Sequence, residues 1–163
     1  MPHLPLPLVW VVVTFVAVLG HSSPVILIPG DGASVLEIKY DKPNVPHWWC
    51  SKSSHGKWER LWVLSPEDLL PEVVDCWSDK KRLRYNGTHV SNAKGVQVCA
   101  KPGKDGLDLV PALPESNVYQ TLLEAIQDVQ VATYDFRLSP RGNPQFLLQL
   151  KEMVEDAYQR AQT

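Results

Sequence analysis

The chain carries the hydroxyls, acids and imidazoles from which acyl-transfer sites are built, but not in the spacing that activates a serine. A serine presented on a sharp strand-to-helix turn needs glycine two residues before it and two after, because side chains at those positions obstruct so tight a turn. No serine here has both. Ser34 comes nearest, with Gly32 before it and Leu36 where the second glycine belongs. Without that nucleophile, Asp135 and His89 have no triad to complete. Cys99 lies between Val98 and Ala100 with His89 its nearest histidine, which is not a cysteine-nucleophile pattern.

Other constellations resolve in the same way. Gly30-Asp31-Gly32 opens like a dinucleotide loop, but Val35 stands where the third glycine belongs, so no dinucleotide and no other cofactor is expected. His47, Cys50 and His55 could be drawn as metal ligands, yet no second pair with zinc-site spacing follows, and no metal is expected. Lys80-Lys81-Arg82-Leu83-Arg84 resembles a nucleic-acid patch, but the formal net charge is -2 and no nucleic-acid partner is expected. The run reads instead as a solvated strand edge or a contact for anionic lipid head groups.

The residues nearest to chemistry are positioned by Pro24-Val-Ile-Leu-Ile-Pro-Gly-Asp31. Four apolar residues, three of them Val or Ile, suit a strand buried on both faces of a parallel sheet, and Pro29-Gly30 stops it at a loop where ligands commonly sit. A turn through Gly32-Ala33-Ser34 and a short alternating stretch to Tyr40 should follow.

Next come five of the six tryptophans, Trp48, Trp49, Trp58, Trp62 and Trp77. Indoles suit a membrane interface, where the ring buries and the N–H stays wet, and Leu61, Trp62, Val63 and Leu64 are expected there. The alternative is a local core. Ser65-Pro66-Glu67-Asp68 opens like a capped helix, which Pro71 should stop after one turn.

Compartment follows from the first segment. Leu8 to Leu19 is apolar apart from Thr14 and too short to span a bilayer, so residues 1–20 read as a signal peptide cleaved after Gly20. In an oxidising compartment the three cysteines make one disulfide and one thiol. Cys50 and Cys76, bracketing the tryptophans, are the natural pair, with Cys50–Cys99 and Cys76–Cys99 left open. Asn86-Gly87-Thr88 is a glycosylation acceptor and also a two-residue hairpin turn between Leu83–Tyr85 and Thr88–Val90.

From Ser91 to Pro114 the chain reads as loop with a strand near Gly95–Val98. Beyond it, Asn117 caps a predicted helix bearing Val118, Tyr119, Leu122, Leu123 and Ile126 on one face. Val129–Ala132 is a strand candidate. Asn143-Pro144 opens a second helix with an apolar stripe of Phe146, Leu147, Leu150, Met153, Val154, Ala157 and Tyr158. Strand, helix, strand and helix in that order predict α/β class with parallel pairing.

Taken in order, Pro24–Asp31, Leu36-Glu37, Asp41-Lys42-Pro43, Cys50-Ser51-Lys52, Leu70-Pro71, Asp75-Cys76-Trp77, Tyr85-Asn86 and Tyr134-Asp135-Phe136-Arg137 resemble the N-terminal part of the lecithin:cholesterol acyltransferase family. The resemblance implies an α/β-hydrolase fold with a disulfide-closed membrane-binding subdomain. It divides the chain into a first core strand and oxyanion loop at 24–40, a Trp-rich membrane-binding subdomain at 41–90, and part of the hydrolase core at 91–163. It implies phospholipid acyl hydrolysis and O-acyl transfer, with the Asp31 backbone N–H as one oxyanion-hole donor. It also implies a Cys50–Cys76 bridge and a bilayer contact through Trp62 and its neighbours. The family's serine, aspartate and histidine fall beyond Thr163. The expectation is therefore a truncated isoform or partial gene product of a secreted or lysosomal enzyme, inactive alone, that meets a phospholipid membrane surface, anionic lipid included. A non-catalytic secreted module binding lipid surfaces or a partner is the competing expectation.

Overall fold

The computed structural model describes residues 23–62, 70–108 and 119–162. Strands β1 (Val25–Leu27), β2 (Leu36–Tyr40) and β3 (Glu59–Trp62) precede helix α1 (Pro71–Lys81). Strands β4 (Leu83–Tyr85), β5 (Val90–Asn92) and β6 (Val96–Ala100) follow it. Helix α2 (Gln120–Ala125), strand β7 (Val129–Val131) and helix α3 (Pro144–Arg160) complete the order. They form a three-stranded sheet β3-β2-β6, a two-stranded sheet β1-β7 and a hairpin β4-β5. The class is mixed α/β, as expected, but the pairing among the described residues is mostly antiparallel. Only β1 and β7 run parallel, with Val25 opposite Val129 and Leu27 opposite Val131.

Strand β2 is the centre because its alternation matches the pleat. Leu36, Ile38 and Tyr40 are buried while Glu37 and Lys39 are half-exposed, and the buried face packs with Leu61, Ala93 and Val96. Removing a Leu or Ile side chain from water contributes about 1.5–3 kcal/mol, so this cluster is a main source of stability. Behind it, Gly95 at φ 78° brings the chain against the Asp41 backbone, and Asp41 N–H donates to the Gly95 carbonyl at 2.8 Å.

Three local expectations are corrected, and a fourth falls partly outside the described residues. Strand β1 is half-buried instead of buried on both faces, and Ile28 after it is 48% exposed. Pro71 begins a helix of its own, and the one expected before it lies outside the described residues. It occupies the first turn of α1, where a missing N–H has no intrahelical partner to lose, and Glu72 favours the positive end. In the hairpin, Tyr85 pairs with Val90, so residues 86–89 form the loop and the return strand starts two residues later than expected. Lys80 and Lys81 end α1 and only Arg82 onward approaches the hairpin, so the basic run is not one strand edge.

The last third follows its sequence closely. The Asn143 side chain accepts from the Phe146 N–H at 3.3 Å and Pro144 opens α3. Of its apolar stripe only Ala157 is buried, while Leu147, Val154 and Tyr158 are exposed. Helix α2 starts at Gln120. Asn117, Val118, Ser65 to Asp68 and the signal-peptide segment lie outside the described residues. No described helix is long and apolar enough to cross a membrane.

Candidate functional site

Strand β1 delivers the chain into a turn whose atoms are held from three sides. Gly30 C=O accepts from Ala33 N–H at 3.1 Å, with Gly32 at φ 75° in the third position, where a side chain would be strained. The Gly30 N–H donates to the Tyr119 hydroxyl at 3.2 Å. The Trp62 indole N–H donates to the Gly32 carbonyl at 2.7 Å. Asp31, second in the turn, is exposed, and among the described residues its backbone N–H has no acceptor. A fixed turn whose N–H has no acceptor among the described residues can bind an anionic oxygen.

Ser34, the nearest approach to a nucleophile, is fully buried. Its hydroxyl accepts from the Tyr134 N–H at 3.2 Å, which ties the segment after β1 to the segment after β7. It is structural.

Beside the turn lies a cavity of about 430 Å³ bordered by Ile28, Asp31, Phe136, Arg137, Leu138 and Phe146 among others. Its lining is largely apolar with one guanidinium. Arg137 is committed elsewhere: Nε and Nη2 grip the Asp135 carboxylate at 2.8 and 2.6 Å, Nη1 donates to the Lys81 carbonyl at 2.8 Å, and Nη2 also meets Asn92 Oδ1 at 2.9 Å. Asp135 is 7% exposed and doubly bonded to its own neighbour but one, so it packs and does no acid–base work here. His89 sits in the hairpin loop, where its N–H donates to Asn86 Oδ1 at 2.8 Å.

Lys81 completes the surroundings. Its ammonium stands 4.0 Å from the Trp62 ring centroid, 4.8 Å from Trp77 and 5.6 Å from Phe136. Burial and then the Arg137 charge pull its pKa below that of an ordinary lysine, while the Asp31 and Asp135 carboxylates oppose the fall. Cys99, half-buried on β6, borders a second cavity with Tyr134 and Phe146. Burial, then Glu37 and Asp135, push its thiol upward and keep it protonated.

Cys50 and Cys76 are bridged, with Cα atoms 5.4 Å apart and a sequence separation of 26. This selects one of the three pairings the spacing left open. Leu61, expected at a membrane surface, is 2% exposed and lies in the core. It alternates with Arg60 along β3, so the pleat turns it inward. Trp62 is half-buried, pinned by Gly32, stacked near Trp77 at 6.3 Å and edge-on to Phe136 at 5.7 Å. Val63 and Leu64 lie outside the described residues. The exposed apolar groups near the bridge are Trp48 at 88%, Leu70 at 53% and Trp49 at 48%. Trp49 stacks on His47 at 4.3 Å and its indole N–H donates to the Glu72 carbonyl at 2.8 Å, fixing the patch to α1. Their adjacency to Cys50 was the signal that could have singled them out.

Asn86 is exposed, and its Oδ1 accepts from both the amide and the hydroxyl of Thr88, at 3.1 and 3.0 Å. Among the described residues no group of His, Cys, Asp and Glu could hold a metal ion.

With this geometry in place, comparison with known proteins is informative. The lecithin:cholesterol acyltransferase family profile matches residues 58–163. The lysosomal phospholipase A and acyltransferase of dog is 36% identical over 154 residues, covering 86% of this chain and 37% of that protein. The cattle protein of the same name is 38% identical over the same span and coverage. The phosphatidylcholine-sterol acyltransferase of rat is 36% identical over 152 residues, 85% of this chain and 34% of its own length. The chain thus spans a little over a third of the relatives it matches.

Proposed function

The chain belongs to the lecithin:cholesterol acyltransferase family, and from that premise we propose that it supplies the oxyanion-side wall of a phospholipid acyl hydrolase and O-acyltransferase. The Asp31 backbone N–H binds the charge that appears on the ester oxygen only in the transition state, where a preorganised donor is worth most. The observation carrying this reading is the Asp31 amide, without an acceptor among the described residues, on a turn held by Ala33, Tyr119 and Trp62. The cavity beside it, about 430 Å³ and mainly apolar, suits an acyl chain.

The surrounding frame is read as part of an α/β-hydrolase core, supported by the parallel β1-β7 pair immediately before the turn. The Cys50–Cys76 bridge and the exposed Asn86 sequon support passage through the secretory pathway to the lysosome or the exterior. As it stands, the sequence has no Gly-x-Ser-x-Gly, and its nearest serine is buried, so the chain by itself releases no acyl group. The test is an ester-hydrolysis assay of the purified chain on phospholipid vesicles. No fatty acid above the protein-free blank is expected, and turnover would overturn the assignment of a wall without its nucleophile.

A second reading, a lipid-surface module acting without catalysis, is favoured by the Trp48, Trp49 and Leu70 patch. Nearly nine-tenths of Trp48 is exposed while Trp49 is anchored to α1, which suits insertion of one indole at a membrane interface. In this reading the lipid contact includes that patch together with Val63 and Leu64. Co-sedimentation with phospholipid vesicles should fall severalfold in Trp48→Ala. Unchanged binding would remove the patch from the account.

A further inference from the structure

Lys81 is placed where a surface lysine has no reason to be. Its ammonium faces Trp62, Trp77 and Phe136, whose ring faces attract positive charge but offer no lone pair to its N–H donors. No described carboxylate lies within ion-pair distance of it. Two cations near it are already occupied: Arg137 by Asp135 and Asn92, and Lys80 by the Tyr40 hydroxyl at 2.8 Å. Trp62 joins this ammonium to the Asp31 turn, giving its N–H to Gly32 and its ring face to Lys81. One indole therefore separates a cation with no carboxylate partner from an amide with no acceptor, both among the described residues.

We propose that Lys81 is a phosphate-binding point that selects phospholipids, holding the head-group phosphate while the glycerol ester lies against the Asp31 N–H. The proposal rests on the acyl-ester reading of that turn. In a phospholipid only the glycerol carbons separate phosphate from ester, so two anchors one ring apart suit one molecule. The rings exclude water from one side of the ammonium, which strengthens its attraction for a phosphate oxygen. The opposing group is the Asp31 carboxylate, whose field already reaches Lys81.

The test uses the whole chain and two soluble probes, dihexanoyl phosphatidic acid and dihexanoylglycerol, which differ only in the phosphate. Binding is read from the emission of the tryptophans beneath Lys81. The wild type should prefer the phosphate-bearing lipid about tenfold, the scale of one charge-assisted hydrogen bond. Lys81→Met should abolish the preference, Lys81→Arg should keep it, and Asp31→Asn should increase it. No preference in the wild type, or a preference untouched in folded Lys81→Met, overturns the proposal. If Lys81→Met does not fold, Asp31→Asn decides, since an unchanged preference there also contradicts it. Inorganic phosphate displacing the lipid at equal concentration would assign the point to free phosphate and overturn the head-group assignment. Because binding needs no turnover, this outcome is separate from acyl chemistry: a preference that survives when the Asp31 amide proves unimportant sinks only the ester reading.

Discussion

The indole N–H of Trp62 reaches back across the site to the carbonyl of Gly32, 2.7 Å away. This bond makes a tryptophan expected at a membrane into the clamp of the turn that carries Asp31. It also explains why Trp62 stacks inward on Trp77 and Phe136.

Trp62→Phe keeps an aromatic ring but leaves the Gly32 carbonyl without its donor. A loss of about 1–3 kcal/mol of unfolding free energy is expected. Urea unfolding checks it, and an unchanged midpoint would mean that the bond does not hold the turn.

Gly95→Ala is expected to be severe, because a Cβ would stand 2.0 Å from the Asp41 carbonyl oxygen on a residue with φ 78°. Left-handed strain and overpacking together cost roughly 2–4 kcal/mol. Gly30→Ala is the control: its Cβ meets nothing within 4 Å, so its melting temperature should stay close to wild type.

Opening the Cys50–Cys76 bridge by paired serine substitution frees a loop with a sequence separation of 26. Roughly 3 kcal/mol should be lost in the chain-entropy account. The patch of Trp48 and Trp49 should lose its fixed near-ultraviolet signal with it. A double variant as stable as the parent would show that the indole packing alone fixes the loop.

Cys99 should be a sluggish nucleophile. Burial, Glu37 and Asp135 raise its pKa above the ordinary 9.0, so the folded protein holds the thiol proton more tightly than the unfolded chain. Its contribution to stability is complete below about pH 9 and is lost as pH rises through the folded value. Iodoacetamide alkylation of the native chain should therefore climb at higher pH than for a free cysteine. A profile rising at or below the free-cysteine range would contradict the assignment.

What the sequence made legible was local. The alternation of Leu36, Ile38 and Tyr40 foretold a half-buried strand, Asn143-Pro144 foretold a capped helix, and β-branched Val129 and Val131 foretold β7, because each depends on residues a few positions apart. Position in space was harder. Pro71 has the same local chemistry whether it stops a helix or starts one, and only the structure shows that α1 begins there. Leu61 and Trp62 have interface chemistry, yet core packing and the Gly32 carbonyl, 30 positions away, claimed them. The lysine cage was illegible, since Lys81 meets Trp62 and Phe136 only through the fold.

The central claim is that the Asp31 amide is an oxyanion donor. Asp31 is the second residue of a turn whose third is Gly32 at positive φ, a place that accepts proline, so Asp31→Pro deletes the N–H while the turn can persist. The decisive measurement is acyl release from phospholipid by a fusion in which this chain replaces the matching 37% of the dog lysosomal phospholipase A and acyltransferase. With an active parent fusion, Asp31→Pro should lower kcat about 10²–10³-fold at unchanged melting temperature, while Asp31→Ala, which retains the amide, stays within a few fold. An Asp31→Pro fusion as fast as its parent would contradict the account.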